Sequence, residues 1–259
     1  MENIDPPILE TRGLTIRFGG HVAVNEVSCA FHPGTLTAIV GPNGAGKTTY
    51  FNLISGQLKP SAGRVLLFGN DVTDDSAPVR TRKGMGRAFQ LTNLFPLLTV
   101  RENVRLAVQA RARAGLNMVS MWSRHGDLVE KAEHYLGRVG LAERGGALAS
   151  TLPHGDQRKL EVAMLLALEP DIFMFDEPTA GMSVDEVPVI LDLIHGIKEQ
   201  KDKTILLVEH KMDVVRSLAD RIIVLHNGQL VADGKPAEVI ASPIVQEAYL
   251  GIAPGKSAA

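Results

Sequence analysis

After residue 35 the chain alternates short unbroken apolar runs with stretches in which apolar residues recur every three or four positions. Leu36 to Val40, Ile172 to Phe175, Thr204 to Val208 and Ile222 to Leu225 are continuous runs, the pattern of strands buried on both faces. Between them, Gly46 to Ser55 carries Tyr50, Leu53 and Ile54 at helical spacing, and Val187 to Lys198 and Met212 to Ala219 read as crossover helices. Such alternation predicts an α/β fold with a mostly parallel sheet covered by helices. The first 35 residues differ. Ile8 to Phe18 and Val22 to Phe31 flank Gly19-Gly20, which predicts an antiparallel hairpin and an N-terminal β subdomain. From Leu91 to Leu160 the pattern is almost wholly helical, with Val100 to Ala114 and Asp127 to Val139 joined by an irregular stretch around Gly115 to Gly126. The expected organisation is a single domain over 8–251: a core at 8–90 and 161–251, a helical insertion at 91–160, and flexible ends at 1–7 and 252–259.

Composition narrows the class. The chain has 259 residues, 45% of them hydrophobic, and a net charge of −2, which argues against a protein that holds nucleic acid through a basic excess. The densest basic run, Arg80-Thr81-Arg82-Lys83, reads as a solvated helix end. Cys29 is the single cysteine, so no internal disulfide is expected, and its apolar surroundings suggest a buried strand position. The N-terminus has no basic region followed by an apolar run, and the apolar stretches fall short of the roughly 20 residues that cross a bilayer. A soluble chain is expected, held at any membrane by another subunit.

The chemistry begins at Gly41-Pro42-Asn43-Gly44-Ala45-Gly46-Lys47-Thr48-Thr49, which fits G-x-x-x-x-G-K-[ST] between a strand and a helix. Glycines let consecutive backbone N–H groups point inward at phosphate oxygens, and the following helix adds its free N–H groups and positive dipole end. Lys47 is placed to reach the β- and γ-phosphates of ATP, and the Thr48 hydroxyl to complete a Mg2+ shell. Asp176-Glu177 follows the run Ile172 to Phe175, at the carboxyl end of a strand where open α/β sheets bind ligands. Asp176 can hold Mg2+ and Glu177 can act as general base on water. His210 follows the strand Thr204 to Val208, beside the same edge, where it can contact the γ-phosphate.

With these residues in order, the chain resembles the ATP-binding subunits of ABC transporters over about Ile8 to Gly251. That resemblance implies a P-loop nucleotide-hydrolase core and further roles. Phe18 stands where the family stacks an aromatic on adenine. Gln90 matches the glutamine linking the Mg2+ site to the helical insertion. Leu152-Pro153-His154-Gly155-Asp156-Gln157-Arg158 matches the signature loop, and Asp176-Glu177-Pro178-Thr179 the acid motif. Ala180-Gly181-Met182-Ser183 falls at the dimer-contact loop, and Glu209-His210 supplies the switch histidine. The implied mechanism is a head-to-tail dimer, each ATP lying between Lys47 of one subunit and residues Leu152 to Asp156 of the other, identical or paralogous. Two departures stand out. Pro153 and His154 replace the serine and first glycine of the usual L-S-G-G-Q, and a lost hydrogen bond to a charged group costs roughly 1.5–3 kcal/mol, for which His154 can substitute a donor. Ser183 stands where the family often has aspartate, and Ser183…Glu186 has capping-box spacing.

Within the family, the stretches from Phe18 to Ser28 and Gly155 to Ala163, the extra segment Arg111 to Arg124, and the endings Gly234 to Val239 and Ala248 to Gly251 are similar to branched-chain amino acid importer subunits. The resemblance implies import of branched-chain or other hydrophobic amino acids, with integral membrane permease subunits, a periplasmic binding protein, and a peripheral place on the cytoplasmic face of the cell membrane. The groove beside Gln90 to Pro96 is the expected docking surface. Urea or amide import, lipopolysaccharide export and a soluble role such as iron–sulfur cluster assembly share most of these features.

Overall fold

The computed structural model describes residues 6–88, 94–112, 125–243, 245 and 246. Those within 1–83, 174–177 and 198–259 form one compact unit, and those within 84–173 and 178–197 another.

In the first unit the predicted hairpin forms. β1 (Leu9–Phe18) and β2 (His21–Phe31) pair antiparallel from Leu9↔Phe31 to Phe18↔His21 around Gly19-Gly20. β3 (Leu36–Val40) is buried at all five positions, as its unbroken apolar run requires. It leads to helix α1 (Lys47–Ser55), then β4 (Ala62–Leu67) and β5 (Asn70–Asp71), which complete a sheet of order β2-β1-β4-β5. Helix α2 (Ala77–Arg82) follows. β7 (Ile172–Asp176), whose last three residues belong to this unit, β8 (Thr204–Val208), β9 (Arg221–His226) and β10 (Gln229–Gly234) form the second sheet with β3 in the order β10-β9-β3-β8-β7. β3 runs parallel to both β8 and β9, whereas β10 returns antiparallel to β9. That return is made at Asn227-Gly228, with φ 48° and 75°, the left-handed pair that a two-residue hairpin turn demands. Helices α7 (Met212–Leu218) and α8 (Pro236–Ala241) cover this sheet, with Val215 and Val239 packed on Ala38, Val40, Ile222 and Val224.

One expectation in this unit is overturned. Arg80 is no solvated helix end: it is 1% exposed. Its guanidinium donates to the carbonyls of Leu53 (2.8 Å) and Ile54 (2.6 Å) at the end of α1, and to those of Thr73 and Asp75. The last carbonyls of a helix have no partner within it, and a buried arginine with five donors supplies several at once. Arg82 and Lys83 are exposed, as expected of the run.

Among the described residues, the second unit contains β6 (Met85–Ala88), which lies beside the opening residues of β7, and four helices. These are α3 (Val100–Arg111), α4 (His125–Arg138), α5 (His154–Ala167) and α6 (Val187–Lys198), the first three packed on one another. Thr99 caps α3, its hydroxyl accepting from the Glu102 N–H at 3.1 Å. The middle of the chain is less helical than its pattern suggested. Between α4 and α5 run a loop and two short 3-10 turns, Ala142–Arg144 and Ala149–Thr151, where Gly140, Gly145, Gly146 and Pro153 interrupt any longer helix. The 160/161 division drawn from the sequence falls inside α5. Arg111 ends α3, and most of the extra segment expected up to Arg124 lies outside the described residues.

Candidate nucleotide-binding site

The loop after β3 is held by its neighbours before any ligand is considered. Gly46 takes φ 94°, and a Cβ there would sit 2.4 Å from the Ala23 carbonyl oxygen, so only glycine fits. The Ala45 carbonyl accepts from the Gly228 N–H at 3.0 Å, and the Gly228 carbonyl accepts from the Asn25 N–H at 2.8 Å. Strand β2 and the β9–β10 turn thus brace the loop from one side. Gly46 offers α1 no side-chain cap, which leaves the first-turn N–H groups to an external acceptor.

Lys47 is only 6% exposed, and its ammonium donates to the carbonyls of Gly41 (2.7 Å) and Pro42 (2.9 Å). Burial pulls its pKa below the usual lysine range, against the opposing attraction of Glu177 and Asp176. A desolvated cation folded onto its own loop is suited to move to an incoming anion.

The acids arrive from β7. Asp176 is its last residue, 2% exposed. Glu177 then adopts φ 50°, with its N–H donating to the Val208 carbonyl at 2.9 Å. A left-handed glutamate is uncommon, and such backbone is held by its surroundings at functional sites more often than elsewhere. Its Oε1 lies 2.7 Å from the Nε2 of His210. The histidine's own backbone is pinned in turn, since the buried Glu209 carboxylate accepts from the N–H groups of His210 (2.7 Å) and Lys211 (3.3 Å).

These groups share one cavity of about 390 Å3, lined by Phe18, Asn43 to Thr49, Glu177 and His210. Phe18 is half exposed at its mouth. His21 and Ala23 also line it, and sequence reasoning missed both. The signal was there, because a hairpin turning at Gly19-Gly20 must set His21 opposite Phe18. Gly41 and Pro42 form the base of the loop as acceptors for Lys47, and Asp176 is buried beside Glu177 rather than lining the cavity. Gln90 lies outside the described residues. The arrangement can surround a polyphosphate with backbone N–H groups and a lysine, stack a planar ring on Phe18, and set a carboxylate–imidazole pair beside the terminal phosphate.

Residues Leu152 to Asp156 belong to the second unit. Pro153, at φ −55°, precedes the first residue of α5, where its missing N–H costs nothing. Leu152 is buried and His154 exposed, the latter with Cε1 3.3 Å from where a Cβ on Gly181 would lie. Asp156 pairs with Lys159 (2.9 Å) and Arg144 (3.3 Å). Glu186 lies against Gly155, and its Oε2 accepts from the N–H (3.1 Å) and hydroxyl (3.0 Å) of Ser183. The glutamate half of the expected capping box is therefore made, while the serine hydroxyl donates to the acid.

Residues 24–180 match the profile of the ABC transporter family. The chain belongs to that family. As an ABC transporter chain it is an ATPase of α/β fold, an ATP-binding transporter subunit. Residues 229–253 also match a branched-chain amino acid ATP-binding cassette transporter profile. The chain is 38% identical over 250 residues to the high-affinity branched-chain amino acid transport ATP-binding protein LivG of Escherichia coli K12, covering 95% of this chain and 98% of LivG. Among solved structures it is similar to the ADP conformation of MJ1267, an ATP-binding cassette of an ABC transporter, at 30% identity and TM-score 0.80 over 95% of this chain and 99% of that one. It is also similar to the cassette MJ0796, a dimer in a post-hydrolysis state bound to ADP and Pi, at 27% identity and TM-score 0.77 over 88% and 98%. No described helix is long and apolar enough to cross a membrane.

Proposed function

We propose that the chain powers import of branched-chain or other hydrophobic amino acids. The observation that carries the catalytic part is the single cavity lined by Lys47, Thr48, Glu177 and His210. Backbone N–H groups of residues 43–48 and the Lys47 ammonium hold the triphosphate. Phe18 stacks on the adenine. Glu177 orients the attacking water and takes its proton, and His210, bonded to Glu177, contacts the γ-phosphate. Thr48 and Asp176, with Gln90, offer oxygen donors that suit Mg2+, a hard cation that takes its other ligands from phosphate and water. When bound, the ion neutralises charge developing on the phosphate oxygens.

Two such chains, or this one and a paralogue, close head to tail so that Leu152 to Asp156 of each meets the ATP of the other. The single-domain organisation over 8–251, with its helical insertion, provides the lever that moves two permease subunits at the inner face of the membrane. A periplasmic binding protein delivers the solute. The cargo reading is supported by the match at residues 229–253 and by the similarity to LivG.

Proteoliposomes carrying this chain, its permease subunits and the binding protein test this reading through uptake of labelled leucine driven by internal MgATP. Uptake lost on Glu177→Gln is the expected result. Uptake of leucine, isoleucine, valine and phenylalanine all at background while ATP is hydrolysed would exclude the cargo.

A further inference from the structure

Glu209 is a buried acid that takes no part in the catalytic steps above. It follows β8, is 3% exposed, and accepts at Oε2 from two backbone N–H groups further along its own chain, those of His210 at 2.7 Å and Lys211 at 3.3 Å. Burying a carboxylate is costly. Lys211 is exposed, and water can satisfy N–H groups at such a turn without any buried charge. The charge is better explained by what it holds in place.

What it holds is the backbone of His210. The imidazole is only partly enclosed: its side chain is 36% exposed, and the Glu177 side chain that it meets at 2.7 Å is 26% exposed. The Val208 carbonyl accepts from the Glu177 N–H at 2.9 Å, so Glu177 and the last residue of β8 are tied to each other by backbone. His210 stands two residues past that tie, and each residue beyond it adds two soft dihedrals. A carboxylate accepting from the N–H groups of both following residues removes that freedom, and such charge-assisted bonds are roughly twice as strong as neutral ones. The bond from Glu177 is a poorer anchor, because a general base must also engage the attacking water. The imidazole then depends on its own backbone for its place.

We infer that Glu209 is a positioning residue: its carboxylate sets the backbone at His210 so that the imidazole meets Glu177 and the terminal phosphate, and it acts on hydrolysis only through His210. The inference rests on the role proposed above for His210 and adds the group that keeps this histidine aligned while Glu177 engages water.

A double-mutant cycle on phosphate release by the purified chain at saturating MgATP tests this. Glu209→Met keeps the length of the side chain and removes the acceptor. Its kcat is expected about tenfold lower, with the Kd for ATP within about twofold of the parent. Glu209→Gln returns a neutral acceptor and is expected to recover kcat to within about threefold. In a His210→Ala background, Glu209→Met is expected to change kcat by less than about twofold, because the group it aligns is gone. A further loss of about tenfold in that background would show that Glu209 acts by another route and overturn the inference. Glu209→Gln as slow as Glu209→Met, or Glu209→Met as fast as the parent, would overturn it too. An unaltered rate for His210→Ala alone would strike the role given to His210, and this inference with it. Should Glu209→Met fail to fold by circular dichroism, a structure of the Glu177→Gln chain with MgATP decides. Both bonds from Glu209 are expected to persist with His210 against the phosphate, and their loss while His210 keeps its place would sink the inference.

Discussion

At the scale of single residues, the site is defined by groups whose ordinary behaviour is altered by where the backbone puts them. Glu177 is the sharpest case: a left-handed φ and a 2.7 Å contact with His210 fix its carboxylate at the cavity. A general base is worth roughly 10²–10⁴ in rate, so Glu177→Gln is predicted to slow hydrolysis about a thousandfold in a phosphate-release assay while ATP binding persists. Phe18, half exposed at the mouth, is assigned only to the base. Phe18→Ala is therefore expected to raise the Kd for ATP and for AMP alike by about tenfold, since base stacking on an aromatic contributes about 1–3 kcal/mol. Cys29 gives a negative control. It is 5% exposed, and burial pushes its thiol up to about 11. At pH 8 only about one molecule in a thousand is then thiolate, so iodoacetamide labelling is predicted to be negligible in the folded chain and rapid in urea. Equal rates in both would mean the strand is not buried.

At the scale of elements, the capped end of α1 matters as much as its phosphate-facing start. Arg80 holds two carbonyls of α1 and two from the loop before α2. Arg80→Ala strands buried acceptors at about 1–3 kcal/mol each before relaxation; the predicted loss in a urea titration is about 3 kcal/mol, with an unchanged m-value. A loss below about 0.5 kcal/mol would show that water replaces the guanidinium without cost. This role was illegible in the sequence, where Arg80 is one of three cations in a run, because burial depends on which face of α2 meets α1. Other elements were plain. The runs Leu36–Val40 and Thr204–Val208, apolar but for one threonine each, are strands with those same bounds, since a strand buried on both faces leaves no charged or exposed position to blur its limits. The hairpin at Asn227-Gly228 was legible and overlooked: the dipeptide is among the strongest turn signals, yet its flanks Ile222–Leu225 and Gln229 onward differ in polarity, because β10 is only half buried. The glycines after Val139 show the reverse error, where a helical period over a long stretch hid the loops that break it.

At the scale of the whole molecule, the proposed dimer adds residues that this chain's own nucleotide cavity does not include. Leu152 to Asp156 lie in the second unit, and their proposed place against the partner's ATP is a claim about assembly. If His154 replaces the donor that Pro153 lacks, His154→Ala in a Glu177→Gln background is expected to weaken ATP-dependent dimerisation about tenfold in analytical ultracentrifugation, with no change in ATP affinity of the monomer. Unchanged dimerisation would assign the grip to the α5 N-terminus and Gly155 alone. The order of motifs carried the family reading, because the loops at Gly41 to Thr49, Asp176-Glu177 and Glu209-His210 follow the carboxyl ends of β3, β7 and β8, which are neighbours in one sheet.

A structure of the Glu177→Gln chain with MgATP tests the central claim most directly. The account predicts the triphosphate wrapped by the backbone N–H groups of residues 43–48. It also predicts the Lys47 ammonium released from Gly41 and Pro42 onto phosphate oxygens, and the adenine against Phe18. Nucleotide bound elsewhere, with Lys47 still on its two carbonyls, would contradict it.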